Sequence, residues 1–353
     1  MVDEMKARLW RHDMNLRSPI SAAPQVHATR AHLFLEVEVD GVRGLGEISP
    51  QPASLHGDPG VDEVLREIEY FTLRQFIETA QREAQTPNWA RVTHFAGSRP
   101  ASYPASALLE MALLDLHLRG QSSTVESHWP ERFATPIQVT VSLLDDAPWT
   151  PLDNAAQVRA KVSTAEVSLE RWHKLASLER PVLLDFNCSG ISVQDTLRCV
   201  ALAQTHVQVC AVEQPFAAGN VVEHARLAAM LDVPVSLDEG VRHRRDLDQI
   251  VRYHAASLVC VKPARVGGYA QARTMIERAH QLGLEVYLGG FFESPLARRA
   301  NRALARHYLT RPSDVSPVAL TGDKGVLVPD SWGCGFLPGP DLENAHPLLN
   351  RHW

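Results

Sequence analysis

Five short apolar runs in this chain each end in an ionisable residue. Those residues, Lys161, Asp185, Glu213, Asp238 and Lys262, follow one another at steps of 24, 28, 25 and 24 residues. One strand, one helix and two loops take about that many residues, and eight such units make a typical barrel of about 250 residues. The runs span residues 158–161, 182–185, 207–213, 233–238 and 258–262 and are mostly apolar without strict alternation, as parallel strands are when both faces are covered. Helical stretches lie between them, at 193–205, 222–231 and 270–282. An earlier strand at 137–141 and a later one at 284–288 bring the count to seven, with a weak eighth near Val315. The spacing predicts an α/β fold, a (β/α)8-type barrel with one side chain per unit on the same rim.

In such a barrel the catalytic groups sit at the C-terminal ends of the strands. With residue 137 opening strand one, the five residues end strands two to six. Strands three, four and five are neighbours, roughly 4.8 Å apart, so Asp185, Glu213 and Asp238 can converge. Three converging carboxylates repel one another unless a cation sits between them. Oxygen ligands favour a hard ion, so Mg2+ is expected, with Mn2+ as the alternative. Strands two and six are four apart in a ring of eight, which sets Lys161 and Lys262 face to face across the metal. A carboxylate bound between them would offer its α-carbon to a lysine on either side. That geometry serves removal of a proton next to a carboxylate, with the metal stabilising the enediolate. Singly, a charged residue at a strand end is usually a solvated cap or a salt-bridge partner, and the signal is five of them in register.

The chain resembles the enolase superfamily, and within it the muconate-lactonising subgroup. The matching features are a lysine ending strand two, Asp185-Phe186-Asn187, Glu213-Gln214-Pro215, Asp238-Glu239 and Lys262. Residues 106–119 look like the helix that leads into the barrel, and Gly44-Leu45-Gly46-Glu47 looks like a capping-domain strand. Gly289-Gly290-Phe291-Phe292-Glu293 has no histidine where the mandelate-racemase branch would need one. Lys262-Pro263-Ala264-Arg265-Val266-Gly267-Gly268 and the stretch from Ser313 to Pro317 look most like o-succinylbenzoate synthases and N-acylamino-acid racemases. The resemblance implies that Asp185, Glu213 and Asp238 hold the metal and that Lys161 is the base. Lys262 would stabilise the enediolate as a cation in a synthase, or act as the second acid/base in a racemase. Asn187, Glu239, Glu293 and Arg298 would support or bind substrate.

Two departures stand out. Arg159 replaces the first lysine of the usual Lys-x-Lys. Residues two apart on a strand point the same way, so Arg159 is expected beneath Lys161, where its charge would lower the lysine's pKa or pair inside the barrel. After strand seven, Pro295 and Ala297 replace two glycines. Proline fixes φ and deletes an N–H, in a loop expected to border the substrate.

The remaining features set the frame. Residues 1–130 read as an α+β capping domain, with a strand at 31–39 and a helix at 61–82; 131–317 form the barrel, and 318–353 a tail packing on the cap. The cap's two loops, 16–30 and 49–57, would close over the barrel mouth, and Arg17 and Arg30 could meet a second carboxylate such as a succinyl group. A formal charge of −6 and the lack of basic runs argue against nucleic acid. No stretch approaches 18 apolar residues, and five scattered cysteines fit a reducing, cytoplasmic setting. A small-molecule carboxylate is the expected ligand, and a homo-oligomer is left open. Three functions are expected to compete. One is o-succinylbenzoate synthase, a dehydration on the route to menaquinone. The second is a racemase, epimerase or cycloisomerase of the same subgroup, and the third is a barrel that binds metal and ligand without turnover.

Overall fold

The computed structural model describes residues 5–22, 25–68, 103–144, 149, 154–164, 167–316 and 324–352. Among the described residues seven parallel strands form one curled sheet: β4 (Ile137–Ser142), β5 (Ala155–Lys161), β6 (Val182–Asp185), β7 (Val209–Glu213), β8 (Val235–Leu237), β9 (Leu258–Val261) and β10 (Glu285–Leu288). They lie side by side in chain order. Helices such as Val193–Gln204, Val221–Ala228, Arg244–Tyr253 and Tyr269–Gln281 return the chain between strands. The expected eighth strand is instead a single bridge between Ile137 and Ser313. There Gln138 N donates to Ser313 O and Asp314 N to Leu288 O, at 2.8 Å each, so residues 313–314 join the first strand to the last without a ladder.

Alternation along each strand divides the core. Val158, Ala160, Leu184, Val212, Leu237, Val259 and Val261 belong to the main apolar core. Leu183, Ala211, Leu258, Cys260 and Tyr287 form a separate cluster of their own. Leu183, Ala211 and Cys260 each stand two residues before a charged strand end, Asp185, Glu213 and Lys262, and so share its face, since successive side chains alternate.

The second sheet is antiparallel, in the order β13-β1-β2-β3, and contains β1 (Met5–Ala22), β2 (Gln25–Val39), β3 (Val42–Ile48) and β13 (Leu349–His352). A two-stranded ribbon, β11 (Leu327–Pro329) with β12 (Phe336–Pro338), precedes β13. The tail therefore ends in the N-terminal sheet. The expected helix at 61–82 is described only as Val61–Glu67 and Ile68, and the rest of it lies outside the described residues.

Helix Tyr103–Gly120 joins the two sheets. It is apolar on every side and buried along most of its length, as a helix is when it runs through a core. β3 can approach it because of Gly44 and Gly46: a Cβ on Gly46 would sit 2.4 Å from Leu108 O. Its two acids serve backbone N–H groups. Glu110 accepts from Tyr269 N at 2.9 Å and Ala270 N at 3.1 Å, at the start of helix Tyr269–Gln281, where orphan donors and the helix dipole favour an anion. Asp115 accepts from Leu45 N at 2.9 Å and from Arg119.

Candidate active site

The strands' C-terminal ends bring the charged residues to one mouth. In the parallel ladders Lys161 pairs with Asp185, and Asp185 with Glu213, so these three stand level on β5, β6 and β7. Asp238 and Lys262 follow the ends of β8 and β9. The cavity is lined by Lys161, Asp185, Asn187, Glu239 and Lys262, together with Thr140, Arg159 and Asp314. All five strand-end charges are buried.

Each is held by an opposite charge. Lys161 Nζ donates to Asp185 Oδ2 at 3.2 Å and also to Asn187. Lys262 Nζ donates to Asp238 Oδ2 at 2.7 Å and lies 4.7 Å above the Phe291 ring. Burial pulls the Lys262 pKa down, but the Asp238 carboxylate overcomes it and the net direction is up. Asp238 is likewise opposed by burial yet held well below the usual carboxylate range, by Arg265 and then Lys262. Arg159 occupies the layer beneath Lys161, with Nη1 3.3 Å from Glu213 Oε1 and Nε 3.1 Å from Thr140 Oγ1. It therefore pairs with acids inside the barrel, 3.9 Å from Asp185 and 3.6 Å from Asp314.

A divalent cation fits this donor set. Glu213 Oε2 and Glu239 Oε2 are buried without a hydrogen-bond partner among the described residues. Burial, and then repulsion from Asp185, push the Glu213 pKa up to about 8. A buried carboxylate in that state calls for more positive charge than Arg159 supplies. Oxygen atoms of Glu213 and Asp238 lie within 4.8 Å of each other and of Cys260 Sγ. Asp185, expected as the third ligand, falls outside that group and is turned to Lys161 and Asn187 N.

Several expectations about substrate contacts change. Arg30 is not an exposed loop residue: it lies on β2 and is 1% exposed. Its nitrogens are committed to Ser49 Oγ, Ser49 O and Gln51 Oε1 at 2.8–3.1 Å, although its side chain reaches the cavity wall. Burial lowers its pKa to about 10. The side chain of Arg17 lies outside the described residues. Glu293 and Arg298 do not line the cavity: Glu293 accepts from Phe291 N at 2.8 Å, and Arg298 Nη1 donates to Asp314 at 3.3 Å. The Ser294-Pro295 stretch does not border the cavity either. Ser294 is the N-cap of helix Pro295–Tyr308 and Pro295 takes its first turn, where a missing N–H costs nothing. Glu47 on β3 accepts from Ser294 N at 2.6 Å and Ala297 N at 3.2 Å, fastening that helix to the cap.

Other groups at the site escaped the motif reading. Gln51, Leu55, His56 and Asp58 reach the cavity from the cap. Asp58 receives Arg265 Nε at 2.9 Å and Nη2 at 2.8 Å, and lies 2.9 Å from Arg242 Nη1. Arg265 Nη1 meanwhile donates to Asp238 O at 3.0 Å, so one guanidinium bridges a cap loop and a strand-end acid. Gln214 Oε1 accepts from Asp238 N and Gly240 N at 2.9 and 3.1 Å, fixing the turn after β8. Arg265 and Gln214 stood inside quoted motifs, but Asp58 carried no local signal.

Residues 154–318 match the family described as enolase C-terminal domain-like. The barrel domain belongs to the enolase superfamily. The whole chain is 24% identical to an o-succinylbenzoate synthase of Bacillus subtilis (strain 168), covering 100% of this chain and 97% of that one. It is 28% identical to an N-succinylamino acid racemase of Amycolatopsis sp, covering 95% of each. The solved N-succinyl Arg/Lys racemase from Bacillus cereus ATCC 14579 superposes with a TM-score of 0.80 at 17% identity, over 100% of this chain and 99% of that one. The muconate lactonizing enzyme from Pseudomonas fluorescens gives 0.80 at 18%, over 97% and 98%. These two structures establish the fold. With enzyme relatives along its length, the chain is an enzyme, of the metal-dependent lyase and isomerase kind. Among the described residues no helix is long and apolar enough to cross a membrane.

Proposed function

We propose that this protein removes the proton α to a carboxylate on a small molecule, with Mg2+ as the ion, and that its reaction is the syn dehydration that yields o-succinylbenzoate. The observation that carries the reading is the pair Lys161 and Lys262 in one cavity, at the ends of strands β5 and β9, whose three intervening strands end in acids. Glu213 and Asp238, joined by Asp185 once it rotates away from Lys161, would hold the ion. Bound there, it would offset the negative charge that gathers on the substrate carboxylate as the proton leaves.

Lys161 serves as the base and returns the proton to the departing hydroxide, because a syn elimination uses one face of the substrate. Asn187 orients its Nζ, to which it is hydrogen-bonded. Lys262 remains an ammonium, which its raised pKa favours, and faces the developing charge from the other side. The apolar wall of Phe291 and Phe292 excludes water from that side of the cavity.

A second reading rests on the same two lysines. Both reach the cavity, so a substrate with a stereogenic α-carbon could lose its proton to one and regain it from the other, as racemisation of an N-succinylated amino acid requires. The test is turnover of the cyclohexadiene carboxylate precursor of o-succinylbenzoate, followed by loss of its ultraviolet absorbance. Metal-dependent loss that disappears in Lys161→Ala supports the synthase. No loss from protein that binds Mg2+ rejects it and leaves the racemase.

A further inference from the structure

One buried side chain in the acid cluster has no part in the reaction above. Cys260 lies on β9 two residues before Lys262 and points into the barrel interior with Leu183, Ala211, Leu258 and Tyr287. Its Sγ and oxygens of Glu213 and Asp238 all lie within 4.8 Å of one another, and all three residues are buried. Room for the sulfur comes from the next strand end, since a Cβ on Gly289 would fall 2.5 Å from it. Glu213 Oε2, fully buried, has no hydrogen-bond partner among the described residues. Two oxygens and a sulfur form a donor set different in kind from the oxygen-only set that suits Mg2+.

We infer that Cys260, Glu213 and Asp238 form a second, thiophilic cation site beneath the Mg2+ position, which takes Zn2+ or Cd2+ and competes with Mg2+ for the two shared carboxylates. Zinc bonds sulfur at about 2.3 Å and carboxylate oxygen at about 2.0–2.2 Å in a tetrahedral shell. That shell sets neighbouring donors roughly 3.5 Å apart, so rotation of the two carboxylates closes the gap. On binding, the Sγ–H bond gives its proton to solvent and a sulfur–metal bond forms, with no change of oxidation state. Arg265 and Lys262, which donate to the Asp238 side chain, limit the affinity by competing for that carboxylate. The site thus makes the enzyme sensitive to soft cations, whichever reaction it performs.

The experiment is a Cd2+ titration of the whole protein, read by thiolate-to-cadmium charge-transfer absorbance in the ultraviolet, with Mg2+ alone as the blank. One equivalent of Cd2+ should give the band in wild type and in Cys188→Ser, whose cysteine also lies near the acids, but not in Cys260→Ser. Cd2+ affinity in Cys260→Ser should fall by more than the roughly 10–100-fold that losing an outer-shell partner costs. Excess Mg2+ should weaken the wild-type band. No band in wild type, a band that survives in Cys260→Ser, or one that vanishes in Cys188→Ser would each overturn the site. If Cys260→Ser fails to fold, anomalous scattering from Cd2+-soaked wild-type crystals decides, by a peak bonded to Cys260 Sγ or one elsewhere. None of these readouts requires turnover, so the site stands or falls independently of the proposed reaction.

Discussion

Substituting Gly46 by alanine should break the joint between cap and barrel. The added Cβ would lie 2.4 Å from Leu108 O, 2.6 Å from Ala112 N and 3.1 Å from Ala112 Cα, where ordinary contact begins at 3.4 Å. All three are backbone atoms of helix Tyr103–Gly120, so no side-chain rotation relieves the overlap. β3 and the helix must part by about 1 Å, loosening packing on both sides, and overpacking of that kind costs about 1–3 kcal/mol. The upper end is expected, because the obstruction is rigid. The neighbouring Glu47 moves with the strand, so its hydrogen bonds to Ser294 N and Ala297 N lengthen as well. Urea unfolding should show a lower midpoint at an unchanged slope. Gly120→Ala is the control: nothing lies within 4 Å of its Cβ, and alanine should be neutral or stabilise by up to about 1 kcal/mol. A Gly46→Ala protein within about 0.5 kcal/mol of wild type, at the ±0.5 expected of uninvolved surface sites, would refute the close approach.

Three further outcomes follow from the geometry. Gly289→Ala places a Cβ 2.8 Å from Lys262 Cε; the displaced lysine should cost kcat on the order of 100-fold, while circular dichroism reports the fold intact. Asp58→Asn keeps the shape but weakens charged hydrogen bonds from Arg265 and Arg242, worth about 1.5–3 kcal/mol each. KM should rise about tenfold or more, and amide exchange near residues 55–58 should quicken; unchanged values for both would remove the latch. His224 is buried and its pKa is lowered by burial from 6.5 to about 4, with Nδ1 on Asn220 O and Nε2 accepting from Phe216 N. The folded state then binds fewer protons than the unfolded one between those values. This contribution is therefore intact above pH 6.5 and lost as pH falls toward 4, by up to about 3 kcal/mol. Urea titrations of wild type and His224→Leu at both ends of that window should differ in slope with pH.

The barrel was legible because its strands are buried on both faces and its charged ends recur at one period, from Lys161 to Lys262. The same alternation that sets Leu183 below Asp185 and Ala211 below Glu213 is a property of any strand, so the inward face could be read without coordinates. The closing element was not, since Ser313 and Asp314 replace a strand ladder with a few hydrogen bonds. Arg30 was misplaced because the first hairpin is long: β2 begins at Gln25 and its pattern continues what looked like a loop. Asp58 was out of reach, being 207 residues from the Arg265 it binds, with no local motif to join them. Pro295 looked like a disruption of a substrate loop until the helix start at Ser294 and its anchor, Glu47, supplied the context. Cys260 counted only as one of five scattered cysteines, because spacing along one strand says nothing of Glu213 two strands away.

The central claim is that this site, with Lys161 and Lys262 on its two sides, takes a proton from the carbon next to a carboxylate. It is tested most directly by proton NMR of an N-succinylated amino acid incubated with the protein in deuterated water, with and without Mg2+. The account predicts Mg2+-dependent loss of the α-proton signal in wild type, and none in the Lys161→Ala, Lys262→Ala double variant. Retention of the α-proton by wild type shown to bind both Mg2+ and this ligand, or exchange that persists in the double variant, would contradict it.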